Sequence, residues 1–180
     1  MNYTTSIDVG IDTVINSIKN ELYTLLQDRW SGEIDAYGRV YKNVDGQGKI
    51  VPEVPLDNNE LTSAFYNDQK AGVYFFIDSD TQSTEDEIVY TNEVKVTFMV
   101  DLTRILPDEP YRPDELARRD VVEFLRSISD ERYGIVRVEK GIRSVFRDFD
   151  IDSIPFNDIS PNHVFSVVID LNYYLTDKCS

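Results

Sequence analysis

The chain has 180 residues, with 18 Lys and Arg against 33 Asp and Glu, a formal net charge of −15. That balance disfavours ordinary nucleic-acid binding, which sets cations against phosphates; it suits solubility before assembly, the plainer reading, or an acidic wall that a polyanion slides past. The one cysteine, Cys179, excludes an internal disulfide, the polar start MNYTTSIDVG predicts no signal peptide, and no apolar run nears the roughly 20 residues that cross a bilayer.

The length suits one α+β domain over residues 1–180 with a projecting arm at about 73–105. Ser6 to Trp30 is predicted as the first helix. Ile7, Ile11, Val14, Ile15, Ile18, Leu22, Leu25 and Leu26 recur at three and four and form one apolar stripe. Ser6 or Asp8 supplies the cap, and Ser31-Gly32 the stop. Ile34 to Asp57 reads as a hairpin with arms Tyr37 to Val44 and Lys49 to Leu56, turning at Asp45-Gly46-Gln47-Gly48. Pro52 and Pro55 make the second arm an edge. Asp57 to Gly72 reads as a polar loop with one helical turn near Leu61 to Tyr66.

Val73 to Ile77 is a short buried strand, and Asp78 to Asp86 a polar acidic tip. The longest element is Glu87 to Leu106. Val94, Val96, Phe98, Val100 and Leu102 alternate there with Lys95, Thr97, Met99, Asp101 and Thr103, which predicts a strand with one apolar face. The two strands pair as a hairpin arm. Pro113 with Asp114 and Glu115 opens a second helix running to about Asp130, with Ala117, Val121, Phe124, Leu125 and Ile128 inward. Ile135 to Asp152 fits helix or strand, Ile154 to Asn162 is a loop, and His163 to Leu175 is a final strand.

Three patterns invite chemistry. Asp148 to Ser153 opens like a calcium loop, but Ser153 and Ile159 stand where the motif needs Gly and Glu. Glu93-Val94-Lys95 with Asp78 or Asp80 upstream matches part of a metal-dependent nuclease core, in which carboxylates hold Mg²⁺ and the Lys steadies charge. Val138-Glu139-Lys140 shows how cheaply an acid arises beside a Lys. His163 lacks a nucleophile partner. No catalytic residue, metal or cofactor is expected.

Charge is more informative. Arg104, Arg112, Arg118, Arg119, Arg126, Arg132, Arg137, Arg143 and Arg147 gather in the middle and late chain, away from the acidic arm and the loop near Asp57. Separated patches of opposite sign let copies pair head to tail. Pairing of the helix's own charges at four-residue spacing explains the same arginines equally well.

The stripe Ile11 to Leu26, the pair Val73–Ile77 and Val94–Leu102, the helix Pro113 to Ile128 and the strand Phe165–Leu175 together resemble the tail-terminator and head–tail connector proteins of tailed bacteriophages. The resemblance is one of pattern and size, and it covers most of the chain. The segments around Asp45–Gly48 and Ile135–Asn162 depart from it. It implies an antiparallel sheet with a long hairpin arm and both helices on one face. It implies a non-enzymatic virion protein of the neck or tail, made in the host cytoplasm. Its partners would be copies of itself in a ring, a hexamer or dodecamer, then portal, connector or tail proteins, and double-stranded DNA passing without sequence-specific contact; no membrane is involved. Asp78, Asp80, Glu85, Asp86 and Glu87 would face the channel or an interface, and Arg118, Arg119 and Arg126 would form a basic patch between subunits. The alternatives are the nuclease built on Asp78, Glu93 and Lys95, and a generic protein-binding adaptor.

Overall fold

A computed structural model describes residues 1–3, 9–55, 60–129 and 132–175. The expected caps Ser6 and Asp8, Ile7 of the first stripe, the acid Asp57, Asp130 and Cys179 lie outside them. Helix α1 spans Ile11–Arg29, and Ile11, Ile15, Ile18, Leu22 and Leu26 are buried along one face. The Trp30 amide donates to the Leu26 carbonyl and closes the last turn. Gly32 then takes a φ of +77°, at a point where an added Cβ would stand 2.7 Å from the Ala71 Cβ. A left-handed, crowded position of that kind requires glycine.

A five-stranded sheet in the order β1-β5-β6-β8-β7 forms the centre. Its strands are β1 (Ile34–Arg39), β5 (Gly72–Thr84), β6 (Val89–Asp101), β7 (Tyr133–Lys140) and β8 (Asn162–Tyr174). Three pairings are antiparallel, as expected, but β1 joins β5 in parallel, so the sheet is mixed. The reason lies between those two strands. The chain leaves β1, builds a separate antiparallel sheet of β2 (Tyr41–Val44), β3 (Ile50–Pro55) and β4 (Leu61–Ser63), and re-enters alongside β1 in the same direction.

The expected hairpin of residues 34–57 is therefore divided. Its first part is the edge of the large sheet; β2 and β3 carry the hairpin, and Asp45 accepts from the amides of Gln47 and Lys49 at 2.8 and 2.9 Å within the turn. β3 is a central strand despite Pro52 and Pro55, because β4 replaces the expected helical turn. The prolines are tolerated at the margin of the ladder: Ala64, just past β4, still donates to the Pro52 carbonyl at 3.4 Å.

Two cores sit on opposite faces of the large sheet. One lies under α1 and α3 (Pro113–Ile128), and includes Tyr74, Phe76, Val94, Val96, Phe98, Phe165, Val167 and Ile169. The other lies under the small sheet and α4 (Ile142–Val145), and includes Phe75, Ile77, Met99, Val145, Phe146 and Val164. β6 is thus covered on both faces over Val94–Val100, not on one. Thr97 and Met99, read as the polar alternation, are fully buried. The alternation predicts the strand but not its cover: Lys95, Thr97 and Met99 lie under the second core instead of facing solvent.

Two other boundaries moved. β5 continues through Asp78–Thr84, read as part of the acidic tip, because Asp78 pairs with Val94 and, after a bulge, Gln82–Thr84 pair with Asn92–Tyr90. β6 stops at Asp101, whose carboxylate accepts from the Thr103 amide at 2.9 Å and caps the short helix α2 (Leu102–Ile105). β8 flanks β6 from Asp101 to Val89, so the hairpin has a third strand along its whole length. No helix of the described residues is long and apolar enough to cross a membrane.

Candidate functional site

The nuclease residues do not converge. Asp78 stands opposite Val94 in the β5–β6 register, which puts it on the face of α1 and α3. Glu93 and Lys95 alternate with Val94 and project from the other face. Each is committed to a charge partner. Asp78 receives Arg39 at 3.2 Å, and Arg39 also grips Asp12 of α1 at 2.8 and 2.9 Å. Glu93 is held by Arg137 at 2.7 and 2.5 Å. Those hydrogen bonds keep the Glu93 carboxyl below its ordinary range. Lys95 is buried, 2.8 Å from Glu139 and within reach of the Ser144 and Val145 carbonyls at 3.3 and 3.2 Å. This arrangement ties α4 to the sheet. Among the described residues, no three His, Cys, Asp or Glu side chains gather as a metal site.

The acids of the hairpin divide into two groups. Asp78 and Asp80 sit on the β5 shaft, where Asp80 pairs with Lys42 at 2.6 Å. Glu85, Asp86 and Glu87 form the turn, and all are exposed. Asp86 accepts from the amides of Ile88 and Val89 at 2.9 and 2.8 Å, and Thr84 Oγ1 accepts from the Glu87 amide at 2.9 Å. The Val89 and Ile88 amides hold the Asp86 carboxyl below its ordinary value. Glu87 adopts a φ of +60°. The turn is therefore an ordered structure that presents Glu85, Glu87 and the exposed Ile88.

The arginines also divide. Arg118 is buried against α3's own acids, 3.2 Å from Asp114, and its guanidinium lies 2.6 Å from His163 Nε2. Since Arg only donates, the ring accepts at Nε2 and is neutral. Burial and then the Arg118 charge hold His163 below its ordinary value. Arg119 is half-exposed and pairs with Asp120 at 3.3 Å and loosely with Glu123 at 3.8 Å. Arg126 is exposed and forms no ion pair among the described residues. Of the three residues expected as a basic patch, Arg118 thus belongs to the interior, while Arg119 and Arg126 remain on the surface. Arg104, Arg112, Arg132, Arg137 and Arg147 are likewise engaged within the chain.

Sequence reasoning missed the surface beside these arginines. β7 is the last strand of the large sheet, with no strand on its outer side among the described residues. Val136 and Val138 on it are 46% and 41% exposed. Between β7 and α3 runs a groove of about 330 Å³ lined by Glu115, Arg118, Arg119, Val122, Val138 and Lys140. The signal was present in the alternating IVRV run, but the run could not reveal that its outer side stays open.

The fold defines an α+β protein with a mixed five-stranded sheet, a separate three-stranded sheet and surface charge networks. No family model, curated protein or solved structure matches the chain.

Proposed function

We propose that this chain is a non-enzymatic structural protein of a tailed-phage virion. It forms a homo-oligomeric ring in the neck or at the end of the tail tube, joined to portal, connector or tail proteins, and the ring encloses the path of the DNA. The observation that carries this reading is the open β7 edge, with Val136 and Val138 exposed beside the α3 groove. An unpaired edge with exposed β-branched residues favours pairing with another chain. The net charge of −15 supports a wall that lets DNA pass without sticking.

Negative-stain imaging and light scattering of the pure protein test the proposal. Closed rings of uniform size are expected. A monomer at tens of micromolar, with no particles of higher order, overturns it in favour of an adaptor. Mg²⁺-dependent cleavage of plasmid DNA that is lost in Glu93→Gln or Lys95→Met favours the nuclease instead.

A further inference from the structure

We infer that the hairpin turn Glu85–Ile88 of one copy docks into the α3–β7 groove of the next, making the turn the inter-subunit plug of the ring and not a wall of its channel. The inference rests on the ring reading above and names its contact. Three observations lead to it.

The first is apolar complementarity. Ile88 is 62% exposed at the end of the hairpin, so its apolar area is available to be buried by a partner. The groove offers Val122 and Val138 as an apolar floor. The second is charge. Glu85 and Glu87 precede Ile88 in the turn and carry no ion pair among the described residues. Lys140, on the groove rim, is likewise exposed and unpaired, and Arg126 lies one helical turn beyond Val122 on the same side of α3. Acids and bases that form no ion pair among the described residues match one another between subunits. The third is order. The turn is already held by Asp86 and Thr84, so little conformational freedom is lost on docking.

The contact is between copies and not within one. Lys140 lies level with Phe165, which pairs with Phe98. The turn begins beyond Val89, nine residues further along β6, or about 30 Å at the rise of a strand. A turn on one end and a groove elsewhere make a heterologous contact, the type that propagates and closes into a ring.

Charge reversal tests it, with ring formation read by light scattering and imaging and folding checked by circular dichroism. A turn-reversed chain, Glu85→Lys with Glu87→Lys, and a groove-reversed chain, Arg126→Glu with Lys140→Glu, each stay folded and lose most of their rings. The chain carrying all four substitutions recovers them, and so does an equimolar mixture of the two reversed chains. Rings that survive either reversal unchanged overturn the docking while leaving the ring reading intact. Loss without recovery in the four-fold chain also overturns it, because the charges then act at separate places. A wild-type chain that forms no ring removes both readings.

Discussion

The guanidinium of Arg137 on β7 reaches over the intervening strand β8 to take the Glu93 carboxylate of β6 in two bonds of 2.7 and 2.5 Å. The pair spans three strands and is continued by Glu139, 3.0 Å from the Arg137 Nε. It fastens the outer strand to the middle of the sheet.

Its removal has a modest, salt-sensitive cost. Both side chains are about a third exposed, at 36% and 34%, so Arg137→Ala costs on the order of 1 kcal/mol. Urea unfolding at low and high salt measures this; the cost shrinks as salt screens the wild-type pair.

The neighbouring pair behaves differently because it is buried. The side chains of Lys95 and Glu139 are 6% and 11% exposed. Lys95→Ala alone leaves the Glu139 carboxylate to Arg137 at 3.0 Å and Arg147 at 3.6 Å, and costs about 2 kcal/mol. Lys95→Met with Glu139→Leu costs far less, since neither charge remains. A double-mutant cycle by chemical denaturation checks the difference.

Phe98 is the centre of the larger core. It stacks on Tyr74 and Phe165 at centroid distances of 5.2 and 4.9 Å and meets the edge of Trp30 at 6.0 Å. Phe98→Ala removes all three contacts, and a loss of about 3–5 kcal/mol is expected. Thermal unfolding reads it, together with a change in Trp30 fluorescence.

Gly72→Ala tests a close approach between β5 and β6. A Cβ there would stand 2.7 Å from Val100 Cγ1 and 3.1 Å from the Met99 carbonyl oxygen. Fully buried Met99 and nearly buried Val100 have little room to yield, so a loss of about 1–3 kcal/mol follows, measured by urea unfolding.

The His163 environment sets a pH dependence. Arg118 and Lys140 disfavour the imidazolium, Asp158 and Asp114 favour it, and burial tips the balance toward the neutral ring. The folded state then binds fewer protons than the unfolded one between the depressed value and the ordinary value of about 6.5. Stability is therefore present above about pH 6.5 and falls as pH drops through that window. His163→Gln flattens this part of the profile in stability measurements between pH 7 and 5. The depressed Glu93 carboxyl acts lower, below its ordinary range, and is untouched by that substitution.

The helices were legible because each buries one face. Ile11 to Leu26 and Ala117 to Ile128 repeat at helical spacing, and Pro113 with Asp114 and Glu115 marks a start within one turn. The long strand was legible from the alternation of Val94 to Thr103, and the final strand from Phe165 to Leu175 set against Ser166, Asp170 and Asn172. From Val94 to Val100 the alternation of residue type is real, but Lys95, Thr97 and Met99 are buried as well, so the second core could not be read from it. The nuclease-like spacing shows a related limit. Glu93 and Lys95 sit as expected on one face, yet Asp78 falls on the other because register and not sequence distance decides it.

Local pattern alone sets the two helix stripes, the long and final strands and the acidic surface, since each depends on neighbours within a few residues. Long-range packing sets the rest: β1 runs parallel to β5, Arg118 turns inward to His163, and β7 has no outer neighbour among the described residues. Those outcomes depend on pairings between residues tens of positions apart, and no local pattern encodes which of many compatible partners a strand or a charge will meet.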